Sequence, residues 1–248
     1  MSQRFDVVIG NPPYQDGSGD KEKGLSGSKK NLYSAFITKS IELLKPNGYL
    51  SYICPPGYIK TTSIEKPSPL FKLIQQYNLI SVDFNCKKYF PTVSLPVITR
   101  FLLQKTKEYK GTDFGSEVID ISLMDYIPIH CSKDTLKRLE EVVSKKKTLN
   151  FKRDDSFGVV NRCIKDKTNF VVIAQVSPSK LEVCVNDVLI NKKGNRKPVH
   201  VMVCDNTRHA ERIGDIMRSE NATFLNTTLR YGDGNVYPGI INYLNYEI

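Results

Sequence analysis

The chain has 248 residues, 40% hydrophobic and 25% charged, a globular rather than disordered or fibrous composition, and long enough for one or two domains with a sizeable core. With 36 Lys+Arg against 26 Asp+Glu it carries a net charge of +10, which favours a polyanionic partner, either nucleic acid or an anionic membrane surface. No apolar run approaches the ~20 residues of a membrane span, and the opening MSQRFDVVIG lacks the basic-then-apolar pattern of a signal peptide, so no membrane partner is expected.

In chain order, FDVVIG at 5–10 is a short apolar run ended by Gly-Asn-Pro-Pro, as suits a strand buried on both faces. Residues 16–30 hold almost no apolar side chain and read as a mobile loop carrying Lys21, Lys23, Lys29 and Lys30. Leu32, Tyr33, Phe36, Ile37, Ile41 and Leu44 recur at helical spacing until Pro46-Asn47-Gly48 stops them. Strands are expected at 49–54, 79–84 and 96–103 and a helix at 70–77. Alternation of this kind predicts a mostly parallel sheet covered by helices.

Residues 105–115 are polar and read as a linker. Beyond them the patterns predict an amphipathic helix at 134–144, strands at 169–176, 181–190 and 199–204, and a helix at 208–218, together a small α+β module. Two basic clusters stand out in this part: Lys145–Lys147 with Lys152 and Arg153, and Lys192, Lys193, Arg196 and Lys197 in the turn-like NKKGNRKP. The second has a shape suited to entering a groove or tracking a phosphate backbone. Most of the charge excess nevertheless lies earlier, with 16 basic and 8 acidic residues in 1–110 against 20 and 18 in the remainder. The six cysteines form no CxxC pair and the three histidines no ligand pair, so reduced core thiols and no metal site are expected.

The sharpest local signal is Asn11-Pro12-Pro13-Tyr14, directly after the first apolar run. In an open α/β sheet, ligands bind beyond the carboxyl ends of the strands, which is where this tetrapeptide falls. The Asn11 side-chain carbonyl and the Pro12 peptide carbonyl can each accept one hydrogen of an exocyclic amine. Two acceptors on one NH₂ draw the nitrogen lone pair out of conjugation and aim it at an electrophile. Tyr14 offers a flat face for a planar base.

With the segments FDVVIGNPPYQ, LYSAFITKSIELLKPNGYLSYICPPGYI and KKYFPTVSLPVITRFLL, the chain resembles the adenine-specific DNA methyltransferases of restriction–modification systems that carry an NPPY motif and a C-terminal target-recognition region. The resemblance covers about residues 4–104. It implies a partial Rossmann-like α/β methyltransferase sheet, the catalytic half, over 1–104. After the linker at 105–115, a target-recognition module is expected over 116–248. It further implies S-adenosylmethionine as methyl donor, double-stranded DNA as partner, and a catalytic set of Asn11, Pro12, Pro13 and Tyr14 that binds the amine of an adenine flipped from the duplex. Tyr14 would stack on one face of that base and Phe90, in Tyr-Phe-Pro, on the other. The lysines of 16–30 and of NKKGNRKP would then contact DNA. The cytoplasm of a prokaryotic or phage-infected cell is the expected setting.

One part of the family pattern has no counterpart in the sequence. The Gly-rich cofactor turn precedes NPPY in that group, whereas the downstream candidates, Asp113-Phe114-Gly115-Ser116 and Tyr231-Gly232-Asp233-Gly234, do not fit it. No cofactor-binding residue is therefore assigned, and the strand at 5–10 is expected to expose an apolar edge. The alternatives left open are a fragment of a longer enzyme, a subunit whose partner supplies the cofactor half, an inactive DNA-binding or assembly subunit, and an enzyme acting on RNA bases.

Overall fold

The computed structural model describes residues 3–14, 32–61, 63–65, 68–93, 97–177, 180–190, 199–229, 231 and 237–246. The chain divides into two compact units, one made of Met1–Thr61 and Pro67–Lys133, the other of Thr62–Lys66 and Asp134–Ile248.

The first unit is an α/β structure with a mixed six-stranded sheet. It comprises β1 (Phe5–Gly10), α1 (Leu32–Leu43), β2 (Leu44–Cys54), α2 (Pro69–Ile74), β3 (Asn78–Asp83), β4 (Thr99–Gln104), β5 (Thr112–Asp113) and β6 (Val118–Ile119), with strand order β1-β2-β4-β3-β5-β6. The pairs β1·β2 and β3·β5 are parallel, but β4 lies antiparallel to both of its neighbours. The expected mostly parallel sheet is therefore corrected to a mixed one. A parallel return requires a long crossover, whereas β3 and β4 are joined by a segment whose helical element among the described residues is the 3₁₀ turn Cys86–Tyr89.

Two further expectations change in detail. The polar segment 105–115 belongs to this unit: β5 pairs with β3, and the buried Thr112 donates from Oγ1 to the Leu79 carbonyl at 2.7 Å. Pro46-Asn47-Gly48 lies inside the irregular start of β2, where the β1·β2 register shifts. A Cβ on Gly48 would sit 2.9 Å from the Asp6 carbonyl oxygen, so only glycine allows the two strands to approach so closely.

Side chains alternate across the sheet, and its two faces differ sharply. Leu50, Tyr52 and Cys54 of β2, Phe101 and Leu103 of β4, and Leu79 and Val82 of β3 are all buried. The buried Tyr33, Ile37, Ser40 and Ile41 of α1 cover this face, with Ser40 and Tyr52 hydroxyls 2.6 Å apart. On the other face Phe5, Val7, Ile9 and Tyr49 are 39%, 55%, 75% and 39% exposed. There Ser51, Ile53 and Leu102 are half-buried and Arg100 is exposed. Burial of β1 on both faces, as its apolar run suggests, is thus corrected: among the described residues its edge is unpaired and its side chains on this face are exposed.

The second unit is built on an antiparallel four-stranded sheet of order β7-β10-β8-β9. Its elements are α3 (Lys133–Val142), β7 (Lys152–Asp154), α4 (Gly158–Asp166), β8 (Phe170–Ser177), β9 (Lys180–Val185), β10 (Val199–Val203), α5 (Thr207–Arg218), α6 (Glu220–Thr228) and α7 (Pro238–Ile241). On one face Val160 and Cys163 of α4 pack with Phe170, Val172, Ala174, Leu189, Val199 and Val201. The buried Asp154 accepts from the Val159 and Val160 backbone at 3.1 and 2.9 Å, satisfying first-turn amides of α4. Helix α5 packs against β8 and β9, and at Gly214 a Cβ would meet Val185 at 2.6 Å.

The buried Asn242 closes this unit across a long stretch of chain. Its side-chain oxygen accepts from the Phe151 amide at 2.7 Å and its nitrogen donates to the Phe151 carbonyl at 3.0 Å. An Asn242→Ala substitution orphans both buried groups, at about 1–3 kcal/mol each. The urea midpoint followed by circular dichroism should fall at unchanged slope; an unmoved midpoint would show that water replaces the amide at no cost.

Candidate active site

Strands β1, β2 and β3 run in one direction, so their carboxyl ends and the start of β4 meet at one end of the sheet. That end gathers the tetrapeptide 11–14, residues 54–58 after β2, and residues 83–90 after β3. Asn11 and Pro13 are exposed, Pro12 is buried and Tyr14 is half-buried. Burial pushes the Tyr14 phenol above its usual pKa, the neighbouring Cys54 thiol adds to the rise, and a hydrogen bond from the Asn11 side chain opposes it. The exposed Asn11 side chain offers its carbonyl oxygen as an acceptor to an incoming donor.

The floor beneath Tyr14 was not visible in the sequence. Tyr58, fully buried, donates to Thr99 Oγ1 at 3.0 Å, and Thr99 donates in turn to the Cys54 carbonyl at 2.9 Å. The Tyr58 ring packs on Phe101 with centroids 4.6 Å apart. Burial holds the Tyr58 phenol and the Cys54 thiol well above their ordinary ranges. Gly57, read only as part of a Pro-Pro-Gly stop, has a specific reason: a Cβ there would lie 1.8 Å from the Tyr33 hydroxyl. After β3, Cys86 is raised by burial and by Asp83, whose Oδ2 lies 3.6 Å from its sulfur.

Phe90 follows the 3₁₀ turn Cys86–Tyr89 and is half-buried. Its carbonyl accepts from Lys87 Nζ at 3.1 Å, which orders the backbone of this loop at the same end of the sheet as Tyr14. Lys21, Lys23, Lys29, Lys30, Lys192, Lys193, Arg196 and Lys197 lie outside the described residues. All six cysteines are free. Among the described residues no group of three His, Cys, Asp or Glu side chains is placed to hold a metal, and no helix is long and apolar enough to cross a membrane.

Of the two candidate cofactor turns, the one among the described residues does not fit S-adenosylmethionine. Residues 113–116 form the hairpin turn between β5 and β6, with the Phe114 amide bonded to the Glu117 carbonyl at 3.0 Å and Gly115 at φ +90° held by Asp113 Oδ1 at 2.7 Å. Such a turn opens no helix and so lacks the Gly-rich strand-to-helix form of a cofactor loop. The other candidate, Gly232 and Gly234, lies outside the described residues.

Residues 1–90 match the Eco57I restriction-modification methylase family. The chain is 37% identical over 129 residues to the type II restriction enzyme and methyltransferase RM.Eco57I of Escherichia coli, covering 45% of this chain and 13% of that protein. It is 31% identical over 72 residues to the adenine-specific methyltransferase BrxX of E. coli O9:H4 (strain HS), covering 26% of this chain and 6% of that one. The chain thus spans a small fraction of both relatives. Among solved structures, the type I restriction enzyme EcoKI M protein aligns over 97% of this chain and 46% of its own, at 14% identity and a TM-score of 0.31. The family match includes the tetrapeptide and its strand.

Thr99→Val should leave the buried Tyr58 hydroxyl without its acceptor and lower stability by about 1–3 kcal/mol, while Thr99→Ser should retain most of it. Chemical denaturation of both variants checks this; equal losses would assign the effect to packing by the Thr99 methyl group.

Proposed function

We propose that this chain carries the amine-binding half of a DNA adenine methyltransferase, whose methyl-donor site lies in polypeptide beyond these 248 residues. The observation that carries the reading is the tetrapeptide itself, at the carboxyl end of β1 with Asn11 exposed, Pro12 buried and Tyr14 half-buried. In this reading the adenine amine donates one hydrogen to Asn11 Oδ1 and the other to the Pro12 carbonyl, which localises the lone pair on nitrogen. Pro13 restrains the backbone after that carbonyl. Tyr14 stacks on the flipped base, and Phe90 closes its other face, offsetting part of the few kcal/mol lost on unstacking. The basic residues of 16–30 and of 191–198, Arg196 included, contact DNA phosphates.

The need for a completing polypeptide rests on two deficits that meet at β1. Among the described residues its outer edge has no paired strand, and the face bearing Phe5, Val7, Ile9 and Tyr49 lacks a covering layer. One two-fold contact between copies of this chain cannot remove both. Pairing β1 edges extends the sheet and leaves the faces bare; stacking faces leaves the edges unpaired. Two chains at +10 each also repel one another. Further α/β structure, adding a strand to β1 and helices over the open face, removes both.

Co-expression with the reading frames that flank its gene, in a host without adenine methylation, tests the reading through mass spectrometry of digested DNA and RNA nucleosides. N6-methyladenine should accumulate in DNA and fall at least about 100-fold with Asn11→Ala, as expected for loss of an interaction used in the transition state. Methylation confined to RNA, or unchanged by that substitution, would overturn it. Absence of any methylated base would favour the inactive assembly subunit.

A further inference from the structure

The basic cluster at 144–153 is described in full, and the fold explains its shape. These ten residues hold five cations and no acid. The segment is fastened on both sides to the turn at 242–245. Val143 bridges Leu244, and the Ser144 amide donates to the Tyr243 carbonyl at 2.7 Å while Asn245 donates to Val142 at 2.7 Å. On the far side the Thr148 and Leu149 amides both donate to the Asn242 carbonyl, at 2.8 and 3.1 Å, and Thr148 Oγ1 donates to the Leu244 carbonyl at 2.7 Å. Leu149 and Phe151 are buried, so the segment is also held by apolar packing.

Between these fastenings stand Lys145, Lys146 and Lys147, all exposed. The Lys146 amide donates to Ser144 Oγ at 3.2 Å, which turns the backbone outward. Among the described residues none of the three ammonium groups has an ion-pair partner. A mobile lysine run spreads its charge and loses conformational entropy when it binds. A short run pinned at both ends has lost much of the backbone part of that entropy already. Three adjacent uncompensated cations in one place gain most from a ligand that presents closely spaced anions, and a nucleic-acid backbone does so.

We infer that Lys145–Lys147 form a preorganised binding site for the phosphate backbone of DNA, within the module expected to carry target recognition. The inference rests on the reading of DNA as substrate and adds an interaction that carries affinity without sequence information. The competing role is local: lysines just beyond the carboxyl end of α3 favourably meet the helix dipole.

Fluorescence anisotropy of the full chain with a labelled DNA duplex of about 30 bp, between about 50 and 300 mM salt, separates these roles. The variant Lys145→Gln/Lys146→Gln/Lys147→Gln should flatten the slope of log K against log salt by about 2–3, since each phosphate that a lysine neutralises contributes about 0.9 to that slope. It should bind at least about tenfold more weakly at about 100 mM salt, with its thermal midpoint unchanged. Retention of the parent slope and affinity would overturn the inference, as would a lowered midpoint with an unchanged slope. If the parent chain itself fails to bind the duplex, the reading of DNA as substrate fails along with it.

Discussion

The ladder between β1 and β2 is the interaction on which the site depends. β1 carries the tetrapeptide at its carboxyl end, and among the described residues it is paired along one side only. The register from Val7↔Tyr49 to Gly10↔Tyr52 sets where Asn11 leaves the sheet, and Gly48 permits the close approach at the start of the ladder. A one-residue slip would exchange the faces of every side chain on β1 and carry Asn11 away from Tyr14's neighbours, Cys54 and Cys86. The ion pair of Lys45 with Asp6 at 2.8 Å lies beside this ladder, but both partners are exposed and such pairs contribute little. Backbone pairing with β2 therefore holds the strand.

The same sheet presents two kinds of surface, and the difference carries the functional argument. Under α1 and α2 the face is close-packed and its hydroxyls are satisfied, as in the Ser40–Tyr52 and Tyr58–Thr99–Cys54 links. The opposite face keeps the composition of an interior, with Phe5, Val7, Ile9, Tyr49, Ile53 and Leu102, and lacks the burial of one. Contiguous exposed apolar surface beside an unpaired strand edge marks an interaction site or an aggregation hazard. Arg4 and Asp6 flank the edge and keep it from being uniformly apolar. The carboxyl ends are thus close-packed on the covered side and open on the other.

Much of this was legible in the sequence, for identifiable reasons. FDVVIG followed by Asn-Pro-Pro-Tyr announces a strand and its terminus, and α1 follows from its apolar spacing; both signals are local. The direction of β4 was not legible, because an apolar run such as RFLL has no polarity in its pattern and only the lack of a crossover helix decides it. β5, two residues long inside a polar stretch, is too short to show a period. The floor of the site joins Tyr58 to Thr99 across forty-one positions, and Asn242 joins Phe151 across ninety-one; neither long-range pairing leaves a local trace. The lysine triplet was visible as charge, but its fastening to the turn at 242–245 appears only in three dimensions.

On the proposed reading, the chain supplies the amine-binding end of a methyltransferase site, and the methyl donor binds structure beyond these residues. Calorimetric titration of the purified chain with S-adenosylmethionine tests it most directly. The account predicts no saturable heat at ligand concentrations up to about 1 mM, where any Kd tighter than that would register. Stoichiometric micromolar binding by the chain alone would contradict it.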